Sequence, residues 1–412
     1  MRYLRWCGLA LTALVAACAL LQTARADGVL EPLGKERLGK GIYCVLGRNF
    51  FTLESDLYLS TVTHMVHGAG QGHNLLLWRR SLDNGPWQLT PIRPGRMPAM
   101  ISVLPSEAQN GETLFLYVDR QDEADRVVYL ERFCEREGLE EIFRYSNGSG
   151  VLNPIAVHEP DSSNLHVLIP DRTDTYIRWF RTDLEEGAVE RLDDISMPRE
   201  GARLYDYHVE DARLVLPTAV TQELHVLVID LETMTHEMKH LDTAESPDNQ
   251  PPRNMTIHPF PEKELYIITY LRPTDFSYRP ETGLLGEVVA NSVCMDRLES
   301  VEQTVIGGFS AEEAATHHLN SVKVSEDAFV MAYTTVDEVH QRHLTGEFQN
   351  YVSGHVDRWR LASDGSVTAE AQREMEPFWH PGLAKDSQGV LYMLYNSAVK
   401  ESPKWLKRWR TE

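Results

Sequence analysis

W-R-R-S-L-D-N-G at residues 78–85, W-F-R-T-D-L-E-E-G at 179–187 and R-W-R-L-A-S-D-G at 358–365 are copies of one unit. In each, a Trp/Arg strand runs into a polar turn holding Asp and Gly, and each follows an apolar strand. The final strand, L-K-R-W-R-T-E at 406–412, repeats the opening of the unit. Recurrence of this kind marks an array of similar sheets. Outward from the copies, strand-length apolar or alternating runs bounded by Pro, Gly, Asn and Asp dominate the chain, and helical periodicity is scarce.

The runs group in fours: an inner strand, an apolar second strand, the Trp/Arg third strand and a polar outer strand. Residues 153–157, 165–169, 176–181 and 189–192 make one set, and 202–209, 213–217, 223–230 and 238–241 the next. Further sets occupy about 41–95, 96–148, 253–308 and 315–373. The last set has three strands, 379–384, 390–395 and 405–410, while residues 29–38 offer an unassigned extended segment. If that segment completes the last sheet, a ring closes and no edge is left exposed. The spacing therefore predicts an all-β fold: a seven-bladed β-propeller of four-stranded antiparallel blades closed by the N-terminal strand. Six blades is the alternative if one set is over-split.

The turn between third and fourth strands carries a family resemblance. Ser81-Leu82-Asp83-Asn84-Gly85-Pro86-Trp87 resembles an Asp box, the S-x-D-x-G-x-x-W turn of sialidase-like propellers, one residue short before Trp87. Ser363-Asp364-Gly365 and Thr182-Asp183…Gly187 resemble decayed versions. The resemblance implies a propeller in which the box is a folding element on the face away from the active site. The opening Arg motif of the sialidases has no counterpart here, so sialidase activity does not carry over.

Residues 1–26 read as a signal peptide. Arg2 and Arg5 precede an apolar run from Gly8 to Leu21, and Ala24-Arg25-Ala26 is a small-x-small cleavage site. The expectation is an exported protein, periplasmic or secreted, beginning at Asp27, with residues 27–412 as one propeller domain. The competing reading is a lipoprotein anchored through Cys18 of Val15-Ala16-Ala17-Cys18. No later stretch has the apolar length of a membrane-spanning helix. Cys44, Cys134 and Cys294 remain in the mature chain, an odd number, and no structural disulfide is expected.

Removing Arg2, Arg5 and Arg25 takes the formal charge from −21 to −24. That excludes a nucleic-acid or anionic-membrane ligand, both of which need clustered positive charge. The chain is expected to be a monomer whose partner is a glycan or a protein.

In a propeller the loops joining second to third strands, and those joining one blade to the next, emerge on one face. His64, His67 and His73 fall there in blade 1, His340, His343 and His355 in the long loop of blade 6, and His317, His318 and His380 at inner-strand starts of blades 6 and 7. Imidazole is a common metal ligand and general base. The candidate metal ligands are His73, His317, His318 and His380, and zinc or copper is the divalent metal such a cluster would take. An insertion in blade 5, Arg272-Pro273-Thr274-Asp275-Phe276-Ser277-Tyr278-Arg279-Pro280, adds Arg272 and Arg279 as ligand-binding groups on the rim. Asn254 and Asn320 stand near inner-strand starts and offer amides. His318, His380 and Tyr278 are the candidate catalytic groups.

Three functions fit these residues: a non-catalytic propeller binding a glycan or protein on its His/Arg/Tyr face, a polysaccharide lyase or metal-assisted hydrolase using the same face, and a copper-type redox enzyme with histidines at the channel mouth. Fold alone does not choose among them.

Overall fold

The computed structural model describes residues 30–39, 42–43, 50–53, 56–64, 73–81, 85–96, 98–104, 113–122, 125–134, 138–146, 153–171, 173–244, 249–274, 285–308, 313–337, 352–397 and 404–411. Among them the secondary structure is almost wholly antiparallel strand, in successive sets of four.

In the first set β2 (Ile42–Tyr43) and β3 (Phe50–Leu53) share the inner position beside β4 (Asp56–His64), followed by β5 (His73–Ser81) and β6 (Gln88–Arg96). The second is β7 (Pro98–Leu104), β8 (Thr113–Asp122), β9 (Asp125–Cys134) and β10 (Gly138–Ser146). The third is β11 (Ile155–His158), β12 (Asn164–Pro170) and β13 (Tyr176–Asp183), with β14 (Val189–Arg191) and β15 (Ile195–Ser196) sharing the outer place. In the fourth, β16 (Arg203–Leu204) and β17 (His208–Glu210) share the inner place beside β18 (Arg213–Val220), β19 (Glu223–Asp230) and β20 (Thr235–Thr243). The fifth is β21 (Arg253–Phe260), β22 (Leu265–Pro273), β23 (Leu285–Cys294) and β24 (Ser300–Gly307). The sixth is β25 (Glu313–Lys323), β26 (Ala328–Asp337), β27 (Val352–Leu361) and β28 (Val367–Met375). A short ladder from β23 to β25, Leu285 opposite Thr316 and Gly286 opposite Ala315, fuses these last two into one sheet.

The closing set is β29 (Phe378–Lys385), β30 (Val390–Ser397) and β31 (Lys404–Arg410), with β1 (Glu31–Gly39) as its outer strand. β1 runs antiparallel to β31 from Glu31 opposite Arg410 to Gly39 opposite Lys404, as the unfilled last set required. Its side chains alternate between faces. Lys35 reaches Glu376 of the preceding set and lies 3.9 Å from the Trp405 ring, while Glu36 pairs with Arg80 of the first set. Leu30 is fully buried between the sixth and closing sets.

Sheets in a ring are covered on both faces, so their middle strands read as continuous apolar runs rather than alternating ones. In β18, Leu214, Leu216 and Val220 pack toward the third set, and Val215 and Ala219 toward the fifth. One hydrophobic cluster fills each described seam, and the seam from the closing set to the first joins Tyr392, Leu394 and Leu406 to Leu57. Inner strands touch in turn, β21 with β25, β25 with β29 and β29 with β3.

The repeated Trp/Arg strand follows from the same geometry. Adjacent residues face opposite seams, so Trp179, Trp359 and Trp409 are buried in apolar clusters. The Trp179 indole N–H donates to His166 Nδ1 at 3.0 Å, which satisfies its polar edge. The neighbouring Arg178 and Arg358 turn the other way, onto Asp174 and Asp194 and onto Glu370.

The turns leaving these strands close on aspartate. Asp183 Oδ1 accepts the main-chain N–H of Glu185 and Glu186, and Asp230 Oδ1 that of Glu232 and Thr233. Asp364 accepts from Ser366, with Gly365 at φ +88°. Asp83 lies outside the described residues, and Trp87 packs against the cluster between the closing and first sets.

Deleting residues 27–39 would remove a whole strand's pairing together with the buried Leu30. The expected loss is ~3–6 kcal/mol from burial and hydrogen bonds together, read as a lowered denaturant midpoint. A truncated chain that melts like the full one would contradict ring closure.

Candidate functional site

With the turns on aspartate at the lower face, the upper face is where inner strands begin and second strands end. There the pairing of three consecutive inner strands is interrupted. β21 breaks register between Arg253 and Thr256, and Asn254 takes φ +51°. β25 breaks between Ala315 and Leu319, spanning His317 and His318. β29 breaks between Trp379 and Gly382, spanning His380. Such irregularities free residues from the ladder and re-aim them, and they concentrate beside binding sites. Asn254, His317, His318 and His380 therefore share one end of three neighbouring inner strands. Asn320 follows on β25, opposite Ala332 and half-buried.

His73 and His64 face each other at the upper ends of β5 and β4, on third and second strands rather than an inner one. Tyr278 and Arg279 lie outside the described residues, as do His67, His340 and His343. Two expectations need correction. His355 is not in a loop: β27 extends upward through it, opposite Tyr333 and Glu374. Arg272 likewise belongs to strand β22, opposite Glu287, and not to the insertion that follows.

Just below the irregular ends, a hydroxyl network ties the fifth and sixth inner strands together. Ser321 Oγ lies 2.7 Å from His258 Nε2 and 2.8 Å from Thr269 Oγ1, and Thr256 Oγ1 is 2.6 Å from Thr269 Oγ1. Buried hydroxyls need such partners, and these fix the relative height of the strands carrying Asn254 and His317–His318. Among the described residues no group of three or more His, Cys, Asp or Glu is placed to hold a metal ion.

Arg272 is committed to protein partners. Its guanidinium bonds Glu287 at 2.7 Å, Asp242 at 3.3 Å and Gln303 at 3.3 Å. Burial works against its charge, but Glu287, Tyr270 and Asp242 outweigh it and hold its pKa above the usual value. Asp242 also accepts from the Tyr270 hydroxyl at 2.5 Å.

This pair belongs to a repeat that the Trp/Arg reading did not reveal. A tyrosine in the middle of the second strand donates to a carboxylate: Tyr117 to Glu131 at 2.8 Å, Tyr333 to Asp357 at 2.8 Å and Tyr395 to Glu376 at 2.5 Å. The signal is legible as Phe115-Leu116-Tyr117, Ile268-Thr269-Tyr270, Met331-Ala332-Tyr333 and Met393-Leu394-Tyr395. In the sixth set the pair is accompanied by His355, whose ring stacks on Tyr333 with centroids 4.9 Å apart and whose Nε2 is 2.8 Å from Thr335 Oγ1.

Burial pushes Asp357 up to about 6, against the opposing hydrogen bonds from Tyr333 and the Arg373 N–H. Between its ordinary 3.8 and that value, the folded chain keeps a proton the unfolded chain has released. This group's contribution to stability therefore falls as pH rises through that window and is level above it. Relative to wild type, Asp357→Asn is expected to gain ~3 kcal/mol between about pH 4 and about pH 7, measured by denaturation at each pH. A difference that does not change with pH would contradict the buried carboxylate.

No protein-family profile matches the chain, and no curated protein sequence does. Solved structures do resemble it. The WD40 domain of Toxoplasma gondii coronin matches with a TM-score of 0.54 at 10% identity, over 93% of this chain and 87% of that one. A polysaccharide lyase of family PL25, an ulvan lyase, matches with a TM-score of 0.56 at 7% identity, over 89% of this chain and 93% of that one. Identities this low speak for the fold alone. WD40 repeats build β-propellers, and the ring of four-stranded sheets described above is a β-propeller.

Proposed function

We propose that this protein is an exported, seven-bladed β-propeller, one domain over residues 27–412, that binds a glycan on its upper face at the mouth of the central channel. The observation that carries the reading is the run of three neighbouring inner strands, β21, β25 and β29, each leaving its ladder at the upper end on an Asn or His residue. Amides and neutral imidazoles both donate and accept, and so suit the mixed hydroxyl pattern of a sugar. The ligand-binding groups in this reading are Asn254, Asn320, His318 and His380, with Arg279 on the rim and Arg272 holding the seam beneath it. A net charge of −24 after signal removal favours a neutral polymer over a polyanion. The Asx turns at Asp183, Asp230 and Asp364 support reading 81–87 as an Asp box.

A second reading uses the same face catalytically, with His318, His380 and Tyr278 as the proton-transfer groups, as a polysaccharide lyase or a metal-assisted hydrolase. One of the similar folds is a polysaccharide lyase, and His73, His317, His318 and His380 would be the ligands of zinc or copper. Release of unsaturated ends from a uronate polymer, or stoichiometric metal in elemental analysis, would favour it over simple binding.

A His318→Ala/His380→Ala double variant is expected to lose retention on a glycan array while melting within a degree or two of wild type, because both residues stand outside the second-strand ladders of their strands. Wild-type binding should also weaken as pH falls through the imidazole range near ~6.5, since the imidazolium no longer accepts a hydrogen bond. Unchanged retention by the double variant would overturn the proposal.

A further inference from the structure

In the seams before the fifth, sixth and closing sets, apolar packing is joined at the second-strand tyrosine by a polar pair. In two seams that tyrosine reaches across to the preceding set, where a carboxylate waits at the upper end of the fourth strand. Tyr270 donates to Asp242 near the end of β20, and Tyr395 donates to Glu376 just past β28. Between the fifth and sixth sets the corresponding end of β24 is Gly307-Gly308, which has no side chain to offer. Tyr333 donates instead to Asp357 of its own set, and a cavity of about 270 Å³ is left where the carboxylate would be.

The glycine is what keeps the cavity open. A Cβ at Gly307 would come 2.5 Å from Tyr333 Cε2, so any side chain there would collide with the ring or fill the space. Below, Phe329, Met331, Trp359 and Leu361 close the seam with apolar packing. Tyr333 and Asp357 form the buried floor, Thr335 and His355 the wall, and Gln372 and Glu374 an exposed rim. Register puts Glu374 opposite His355 and Gln372 opposite Asp357, so all four share the face toward the fifth set. Arg373 stands opposite Val356, which packs toward the closing set, so its side chain leaves on the other face and only its N–H meets Asp357.

We propose that this seam is a second ligand site, for one neutral sugar residue whose hydroxyls donate to Asp357 and Glu374. The site stands apart from the channel mouth and does not depend on the function proposed for it. Its charged lining is two carboxylates and one imidazole, which repels an anion and calls for a ligand rich in O–H donors. The tyrosine–imidazole stack supplies the flat, partly apolar wall that a sugar ring needs. The volume accommodates a single ring and not an oligosaccharide.

The test is saturation-transfer NMR and titration of the mature protein near neutral pH with methyl glycosides of glucose, galactose, mannose and N-acetylglucosamine, and with methyl glucuronoside as the anionic comparison. At least one neutral glycoside should bind, and the glucuronoside should bind about tenfold more weakly or not at all. Glu374→Gln, on the exposed rim, should weaken the neutral ligand about tenfold, the effect of losing a hydrogen bond to a charged group. Gly307→Ala should abolish binding. If that variant fails to fold, Glu374→Gln alone decides. Absence of binding by every neutral glycoside, preference for the glucuronoside, or wild-type affinity in Glu374→Gln would each overturn the proposal.

Discussion

The pairing of β1 with β31 is the constraint on which the rest of the molecule depends. Each sheet presents two apolar faces and must be covered on both, so the sheets have to form a ring. A ring built from one chain has a seam where the ends meet, and an unpaired strand there would expose a row of main-chain donors and acceptors. Here the N-terminal strand fills that place and is fastened in two directions. Lys35 turns to Glu376 of the sheet before and to the Trp405 ring on the adjoining β31, and Glu36 turns to Arg80 in the sheet after. Glu31 pairs with Arg410 at 3.1 Å, at the far end of the ladder. Lys35 and Lys407 lie directly opposite each other, a repulsive arrangement that Glu376 offsets.

Once the ring is closed, chemistry is distributed by height. The lower parts of the sixth and closing sets hold Trp359, Trp409 and their aliphatic neighbours, and the lower turns are finished by aspartate. Polar groups gather above, where second-strand tyrosines meet carboxylates and where inner strands leave their ladders. Burial within a seam makes these polar groups consequential: it raises the pKa of Tyr270 and Tyr395 and brings Asp357 near neutrality. The seam that lacks its carboxylate holds a cavity, and three inner strands break register at their upper ends. Both are departures from the repeat: the cavity lies between the fifth and sixth sets, and the register breaks run from the fifth set to the closing one.

Much of the fold was legible in the sequence because it rests on local signals. Trp179 beside Arg178, followed by Asp183 and Gly187, identifies a third strand and its turn without reference to any distant residue. The shortfall of one strand after Val390–Ser397 and Lys404–Arg410 pointed to residues 29–38. The seam chemistry was not legible in the same way. Tyr270 and Asp242 belong to different sets, and only the ring brings them together. Gly307-Gly308 reads as an ordinary strand end until the carboxylates of the other seams show what is missing. In the sequence His355 and Arg272 read as loop residues because strand ends cannot be read from composition when polar residues continue a ladder, as they do in β27 and β22. The second-strand tyrosine does not stand out in the sequence, since one aromatic per apolar strand is common in sheets.

Native-state hydrogen exchange on the N-terminal strand tests ring closure most directly. If β1 completes the last sheet, the hydrogen-bonded amides within Glu31–Gly39 should be as protected as those of β31 and exchange only through opening of the whole ring. Exchange of the β1 amides at near-unfolded rates, while β30 and β31 stay protected, would show that the ring is not closed by this strand and would contradict the account.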